Sequence, residues 1–410
     1  MAARNDTKGK AARPASAQVV DGCEWALQHN APSLSKQQLP FLMHQGNPGC
    51  MPDEDASLLP QLKGIHFQPV FISGVHRSGT SFLYKALSDV LPVAYLRMFD
   101  IVNYNRLLAA YKAGTIAEEA AAIDAYLAAV GLKSRLIDSV EASHAAAEEH
   151  GFVLMAHSRR GTNYLCTANS QLFSEMCAKL VVVQACPSGV VLMKNPFDHG
   201  REAEIARLYP NAKFIHIQRD LAACLSSFIS IMDVMWPQVG GIDPWIYSLL
   251  SGCQYIFAVF ILLDLIVGHQ RTMYQVARNL VATTLAIKAS AARAFTEIRA
   301  REPHRVHDLT YEQLMVDPEG EVGRIAAFLG LEPNATELAR LGGRVAPRAS
   351  RLHPSITEAM EAHAAADTGR VADRSELSAW TTIKSLVPVM APGDALRAVK
   401  RQQPVRLQDA

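Results

Sequence analysis

Five consecutive polar residues combine one fixed positive charge, three hydroxyl donors and a glycine. They are Arg77, Ser78, Gly79, Thr80 and Ser81. An apolar run rich in β-branched and aromatic residues, at positions 67–75, precedes them and predicts a buried strand. Apolar residues then recur at helical spacing as far as Val90 and predict a helix. Because a strand, a glycine-containing turn and a helix N-terminus point backbone N–H groups at an anion, this loop is predicted to bind a phosphate.

The loop differs from the one that nucleotide triphosphatases use. Their pattern is Gly-x-x-x-x-Gly-Lys-Ser/Thr, in which the lysine reaches the outer phosphates and the hydroxyl binds magnesium. Here the turn is shorter, and Arg77 precedes Ser-Gly-Thr-Ser. A polar turn that binds no ligand is the alternative interpretation of the same residues.

Two further predicted strands end in basic residues. Residues 190–193 are followed by Lys194, and residues 213–217 are followed closely by Arg219. Because ligands of parallel α/β sheets lie beyond the carboxyl ends of the strands, both side chains are expected near Arg77. Three converging positive charges predict a highly anionic ligand.

The elements that must position these residues alternate along the chain. A capping pattern at Thr115 and Glu118 predicts a helix that runs to Val130. Further helices are predicted at residues 143–150, 169–183, 201–208, 221–235, 273–299 and 319–329, and a last strand at residues 305–309. Alternating strands and helices predict an α/β fold, a three-layer sandwich around a mainly parallel sheet.

Composition restricts the class of partner and the compartment. The chain of 410 residues carries 40 basic and 39 acidic residues, so nothing predicts nucleic acid or an anionic membrane surface as partner. The seven cysteines show no C-x-x-C spacing, and the 14 histidines show no H-E-x-x-H grouping. We therefore expect reduced thiols, a cytoplasmic location and no metal site.

Residues 248–267 form the most apolar stretch of the chain. Their length approaches a membrane span, but Gln254 and Asp264 interrupt them within the α/β pattern. A buried helix is the favoured interpretation. An apolar substrate pocket, a homodimer face and a contact with a membrane surface are the alternatives.

Three motifs in this order resemble the sulfotransferase family, which uses 3′-phosphoadenosine 5′-phosphosulfate (PAPS) as sulfuryl donor. The loop at residues 77–81 is similar to the family's 5′-phosphosulfate loop, with His76 in place of the usual proline. Arg219 with Ser227 eight residues later is similar to its 3′-phosphate site. Tyr311 lies in a segment that resembles the family's Tyr-Glu-Asp-Leu element, near the adenine.

The resemblance covers roughly residues 65–332 and implies a fold related to that of P-loop nucleotide triphosphatases. It looks closest to the bacterial branch, whose Lys-Ser-Pro segment is similar to the one that begins at Lys194. The implied domain is residues 61–335, with a partly disordered tail and arm at 1–60 and a helical or irregular extension at 336–410. The implied reaction moves a sulfuryl group from PAPS to a hydroxyl of a small metabolite, by in-line displacement and without a metal. The apolar stretch favours an apolar acceptor.

Lys194 is expected to neutralise the departing bridging oxygen, and a general base must take the acceptor's proton. Three positions are candidates for that base: Asp100, which is favoured, then the cluster of Glu148, Glu149 and His150, and last His199. The family's cytosolic enzymes place a histidine base where this chain has Pro196, so a histidine base is less favoured here.

Two other function classes compete with this interpretation. A nucleotide-dependent kinase of the P-loop fold would need the Gly-Lys-Ser/Thr pattern and carboxylates for magnesium, which the motifs do not supply. A non-catalytic nucleotide-binding protein could keep the fold without the chemistry.

Overall fold

The computed structural model describes residues 53–129, 133–134, 140–158, 162–235, 269–342 and 351–366. Within them, five parallel strands form one sheet. The strands are β1 (Gln68–Ser73), β2 (Ala94–Tyr95), β3 (Val190–Lys194), β4 (Lys213–Gln218) and β5 (Val306–Thr310). Their order is β2-β3-β1-β4-β5. Lys194, Arg77 and Arg219 therefore come at or just after the ends of β3, β1 and β4, which are the three adjacent central strands.

Helices connect and cover these strands. In chain order they are α1 (Thr80–Val90), α2 (Met98–Val102), α3 (Leu107–Ala113), α4 (Ile116–Ala129), α5 (Gly151–His157), α6 (Ser170–Val183), α7 (Glu202–Leu208), α8 (Leu221–Met235), α9 (His269–Arg301), α10 (Tyr311–Val316), α11 (Pro318–Leu329), α12 (Ala335–Leu341) and α13 (Pro354–Ala366). Short 3-10 turns occupy Leu59–Leu62, Tyr104–Arg106, Thr167–Asn169, Pro196–Asp198 and Pro303–Arg305. Apart from one segment discussed below, the predicted helices and strands within the described residues are confirmed to within a few residues.

The central strand β1 is buried on both faces. Phe71 packs in one core cluster, where its ring lies 5.6 Å from that of Phe173 and 5.8 Å from that of Phe214. Its neighbours Val70 and Ile72 belong to a second cluster on the opposite face. Because successive side chains of a strand point to opposite faces, two buried faces require an apolar residue at nearly every position. The chain is thus an α/β protein with a mainly parallel sheet and helices on both sides.

The segment at residues 143–150, predicted as a helix, is instead extended and turned. Its backbone groups bond to the chain around α2: the Met98 amide donates to Ala146 at 2.9 Å, and the Glu148 amide donates to Leu96 at 2.9 Å. These long-range bonds replace the i to i−4 bonds of a helix, which begins only at Gly151. The pairing holds the acidic residues 148 and 149 beside β2 and α2.

The start of α4 also differs in one detail from the prediction. In the predicted capping box, the Thr115 amide would donate to the Glu118 carboxylate; instead, this amide donates to the Ala110 carbonyl at 3.0 Å, and the Thr115 hydroxyl donates to Glu119 at 2.7 Å. Glu118 instead lies exposed one position earlier in the helix.

Near the N-terminal end of the described chain, Asp55 is fully buried. Its carboxylate accepts from the amides of Leu108 and Ala109 at 3.1 and 2.9 Å and lies 3.0 Å from the Lys179 ammonium. The carboxylate therefore caps α3 and joins this end of the chain to α6.

Several sequence predictions fall on residues outside the described ranges. These are residues 1–52 of the tail and arm at 1–60, the apolar stretch at 248–267, and residues 343–350 and 367–410 of the extension at 336–410. Of that extension, α13 packs against α8 and α9, with Ile356 buried. In the ranges that the structure describes, no helix has the length and apolar character that crossing a membrane requires.

Candidate active site

The loop between β1 and α1 adopts a backbone that favours anion binding. Arg77 has a φ of 69° and Gly79 a φ of 95°, so both lie in the left-handed region. The buried Ser78 hydroxyl donates back to the carbonyl of Val75 at 2.8 Å and fixes the turn. The first amides of α1 have no intrahelical acceptor, so the turn presents N–H groups beyond the end of β1.

Gly79 is required here for space as well as for conformation. A Cβ at this position would lie 2.6 Å from Cδ2 of Tyr311, the first residue of α10. The phosphate loop and the tyrosine of the third motif are therefore in direct contact.

The second motif also meets the first. Arg77 Nε donates to Ser227 Oγ at 3.1 Å, and Arg219 Nη1 donates to the carbonyl of Arg77 at 2.9 Å. The guanidinium of Arg219 lies 4.1 Å from the centre of the Tyr311 ring, in cation–π geometry. The structure thus brings together Arg77, Arg219, Ser227 and Tyr311, which represent all three motifs.

Lys194 is the last residue of β3 and is buried. Its ammonium donates to Ser81 Oγ at 2.9 Å and to Glu149 Oε1 at 2.6 Å. One cation therefore connects the phosphate loop to one of the three candidate bases.

The rest of that acidic cluster has other contacts. Glu148 is buried, and His150 Nε2 lies 2.6 Å from Asp198 Oδ2 with both residues buried. The second oxygen of Asp198 accepts from the Leu165 amide at 2.7 Å. These contacts place His150 in the core, so Glu149 is the member of the cluster that contacts Lys194.

The candidate base Asp100 lies in a different environment. It is fully buried in α2, where it accepts from Arg97 Nε at 2.9 Å and Nη2 at 2.8 Å. The Arg97 amide at 2.8 Å and Gln184 Nε2 at 3.2 Å add two further donors. Asp100 therefore caps α2 and neutralises an arginine, and the structure does not bring it into contact with Lys194.

The candidate base His199 belongs to a buried group below the site. Its Nδ1 lies 2.9 Å from Ser73 Oγ and 2.8 Å from Glu202 Oε1, and Ser73 Oγ donates to Glu202 at 2.6 Å. Burial raises the pKa of Glu202, but the hydrogen bonds from His199 and Ser73 outweigh burial and hold the pKa below its ordinary value. This group ties the end of β1 to the start of α7.

His76, which stands in place of the family's usual proline, packs against two aromatic rings. Its ring centre lies 5.0 Å from that of Phe197 and 5.7 Å from that of Phe228, both in edge-to-face geometry. Removal from water lowers the pKa of His76 to about 4; the Glu149 charge opposes this shift and the Lys194 charge adds to it. The imidazole is therefore neutral at pH 7 and close to the charges of the site. Sequence reasoning missed Phe197, because an aromatic residue three positions after Lys194 has no motif of its own.

In the part of the chain that the structure describes, no three His, Cys, Asp or Glu side chains are grouped closely enough to hold a metal ion. The positive charges at the strand ends are those of the Arg77, Lys194 and Arg219 side chains.

Comparison with known proteins identifies the family of this chain. A model of the sulfotransferase family matches residues 69–246 and 264–335, more than half of the chain. The omega-hydroxy-beta-dihydromenaquinone-9 sulfotransferase Stf3 of Mycobacterium bovis and its Mycobacterium tuberculosis counterpart are each 26% identical to the chain over 186 residues. That match covers 45% of this chain and 40% of each relative, so the chain aligns with two fifths of their length.

Two solved structures were also found to be similar. Sulfotransferase STF1 from Mycobacterium tuberculosis is 15% identical with a TM-score of 0.47, covering 86% of this chain and 92% of its own. Sulfotransferase STF9 from Mycobacterium avium is 15% identical with a TM-score of 0.45, covering 87% and 86%. On the match of the family model, this chain belongs to the sulfotransferase family.

Proposed function

We propose that this chain transfers a sulfuryl group from PAPS to a hydroxyl of a small, apolar metabolite in the cytoplasm, with Glu149 as general base and without a metal ion. One observation carries the proposal: Lys194 contacts Ser81 of the phosphate loop and Glu149 at the same time. A loop suited to anion binding, a cation and a proton acceptor therefore lie together at the end of β3. These are the groups that sulfuryl transfer needs.

The residues fit a donor with two separate anionic ends. The loop amides, Arg77 and the hydroxyls of Thr80 and Ser81 would hold its 5′-phosphosulfate, while the Ser78 hydroxyl fixes the turn. Arg219 and Ser227 would hold its 3′-phosphate, and Tyr311 would lie near its adenine. When bound, the donor supplies an activated sulfuryl group with the 5′-phosphate as leaving group.

The pairing of Lys194 with Glu149 couples two tasks of the site. Before reaction, the carboxylate orients the ammonium through a hydrogen bond of 2.6 Å. When Glu149 accepts the acceptor's proton it becomes neutral, and its attraction for the ammonium weakens. The charge of Lys194 then acts more strongly on the negative charge that builds up beside Ser81. Glu149 thus takes the proton first, and the Lys194 charge then acts on the leaving group, without a change in fold.

We favour Glu149 over the other two candidates for the base because of their contacts. Asp100 accepts four hydrogen bonds from Arg97 and Gln184, and His199 is enclosed with Ser73 and Glu202. Both are better suited to positioning than to contact with a substrate.

The acceptor is proposed on chemical grounds. The curated relative is named for omega-hydroxy-beta-dihydromenaquinone-9, a compound that carries a hydroxyl, and this supports a hydroxyl acceptor here. We further propose residues 61–335 as the catalytic domain, preceded by an arm at 1–60 and followed by an extension at 336–410.

Nucleotide titration tests this function. We expect the full-length protein to bind adenosine 3′,5′-bisphosphate at least tenfold more tightly than ATP, and to transfer radiolabelled sulfur from PAPS to a hydroxyl acceptor. Lys194→Met should abolish transfer and keep bisphosphate binding. A preference for ATP would favour the kinase alternative, and binding without transfer would favour a non-catalytic nucleotide-binding protein.

A further inference from the structure

Phe197 is an aromatic side chain left 45% exposed beside the site. It lies three residues after Lys194 and packs edge-to-face on His76, with ring centres 5.0 Å apart. His76 directly precedes Arg77 of the phosphate loop. This exposed phenyl group offers apolar surface beside the site, and a bound hydrocarbon would gain free energy by covering it.

A third ring extends the same surface. Phe228 of α8 lies 5.7 Å from the imidazole of His76, on which Phe197 also packs. The three rings come from three segments that each carry a site residue: His76 adjoins Arg77, Phe197 follows Lys194, and Phe228 adjoins Ser227. Because Arg77 and Ser227 are in hydrogen-bond contact, the rings of His76 and Phe228 that adjoin them lie at the border of the site.

The character of His76 supports an apolar surface. His76 is half-buried, and this burial lowers its pKa to about 4, so the imidazole is neutral at pH 7 and no ionic charge interrupts the three rings. A hydrocarbon framework gains from covering such rings, whereas the many hydroxyls of a polyol would lose water without gaining matched hydrogen bonds.

Resting on the proposed function, we propose that His76, Phe197 and Phe228 form an aromatic wall against which the carbon framework of the acceptor packs. The wall selects acceptors that carry their hydroxyl on an apolar framework, and it rejects polyols of the same size. The acceptor's hydroxyl would extend from the wall toward Glu149, and its framework would cover Phe197.

Two alcohols with the same ring test this selection. Cyclohexanol and myo-inositol share a six-carbon ring, but inositol carries a hydroxyl on every carbon. We expect saturation-transfer NMR on the complex with adenosine 3′,5′-bisphosphate to detect cyclohexanol and not inositol. With PAPS, kcat/KM for cyclohexanol should exceed that for inositol at least tenfold.

Phe197→Ser should raise KM for cyclohexanol about tenfold and change kcat much less, because it removes binding surface and no reacting group. Tyr111→Ser is the matched control, since Tyr111 is also 45% exposed but lies on α3. The control should leave KM unchanged. Phe228→Ala is a second variant, which should raise KM in the same direction.

The outcomes separate the two proposals. Failure to bind adenosine 3′,5′-bisphosphate would overturn the proposed function. Normal bisphosphate binding with equal use of both alcohols, or with an unchanged KM in Phe197→Ser and Phe228→Ala, would overturn the aromatic wall alone.

Discussion

The Lys194 ammonium and the Glu149 carboxylate lie 2.6 Å apart, although 45 positions separate them in the chain. β3 delivers the lysine as its last residue, and the extended segment before α5 delivers the glutamate. The backbone bonds between that segment and the chain around α2 hold the glutamate in place. A short charge-assisted bond between two groups with little access to water is strong and directional, so each partner fixes the other.

Removing the proton-accepting ability of Glu149 tests its role as base. Glu149→Gln keeps an oxygen for Lys194 but cannot take a proton. We expect kcat to fall about 10²–10⁴-fold, while the affinity for adenosine 3′,5′-bisphosphate changes less than threefold. Steady-state sulfuryl transfer and calorimetric titration measure the two quantities.

Glu204→Gln is the control for this change, because Glu204 is also partly buried and paired with an arginine, Arg201, outside the site. It should leave kcat unchanged. An unchanged kcat in Glu149→Gln would transfer the role of base to Asp100 or His199, which Asp100→Asn and His199→Gln would then separate.

Gly79 and Gly114 provide a matched pair for testing the phosphate loop. Both have a positive φ, 95° and 72°, but a Cβ at position 79 would lie 2.6 Å from Tyr311, whereas nothing lies within 4 Å at position 114. Gly114→Ala should cost about 1 kcal/mol of unfolding free energy. Gly79→Ala should cost about 1–3 kcal/mol more and weaken bisphosphate binding at least tenfold, because Tyr311 must move.

Urea denaturation and nucleotide titration of both variants measure these effects. Equal losses of stability, with nucleotide binding intact in both variants, would show that the contact between Gly79 and Tyr311 is not required.

Much of this architecture follows from local pattern. Residues 67–75 could be recognised as a buried strand because a central strand with two buried faces must be apolar throughout, as Val70, Phe71 and Ile72 show. The positions of Arg77, Lys194 and Arg219 followed from the same logic, because each comes at or just after the end of a strand.

Other features depend on partners far away in sequence, which no local pattern reveals. Residues 143–150 have a helical composition, but their backbone bonds to residues 96–99 prevail. The burial of Asp100 likewise depends on a distant partner, because Gln184, 84 positions later, donates to its carboxylate at 3.2 Å. The aromatic contacts of His76 join three separate segments, so only the fold could show them.

Arg219 is predicted to distinguish a 3′-phosphate from a free ribose hydroxyl. Adenosine 3′,5′-bisphosphate and AMP differ only by that phosphate, so their affinity ratio isolates it from any change at the 5′ end. The ratio is needed because Arg219 also donates a hydrogen bond of 2.9 Å to the Arg77 carbonyl, in the loop expected to bind the 5′ end. We expect Arg219→Met to lower the ratio about tenfold or more.

Arg324→Met serves as control for the loss of one arginine, since Arg324 is 53% exposed and pairs with Glu321 on α11. The ratio of its affinities for adenosine 3′,5′-bisphosphate and AMP should match that of the unchanged protein. If Arg219→Met weakens both nucleotides equally, Arg219 acts only through the loop and does not contact the 3′-phosphate.

His157 is predicted to make stability depend on pH. Its ring lies 4.6 Å from that of Tyr104, and burial, with a further contribution from the Lys179 charge, lowers its pKa from 6.5 to about 4. Between these values the unfolded chain binds a proton that the folded chain does not, so the free energy of unfolding falls as the pH falls. The slope approaches about 1.4 kcal/mol per pH unit for each such histidine, and His76 adds a contribution of the same sign.

Urea denaturation between pH 7 and pH 5 measures this slope. That range lies above the pH at which Glu202 and Asp308, whose pKa values are lowered, affect the free energy of unfolding. His157→Gln should flatten part of the slope. A slope as steep in His157→Gln as in the unchanged protein would show that His157 binds its proton equally in both states.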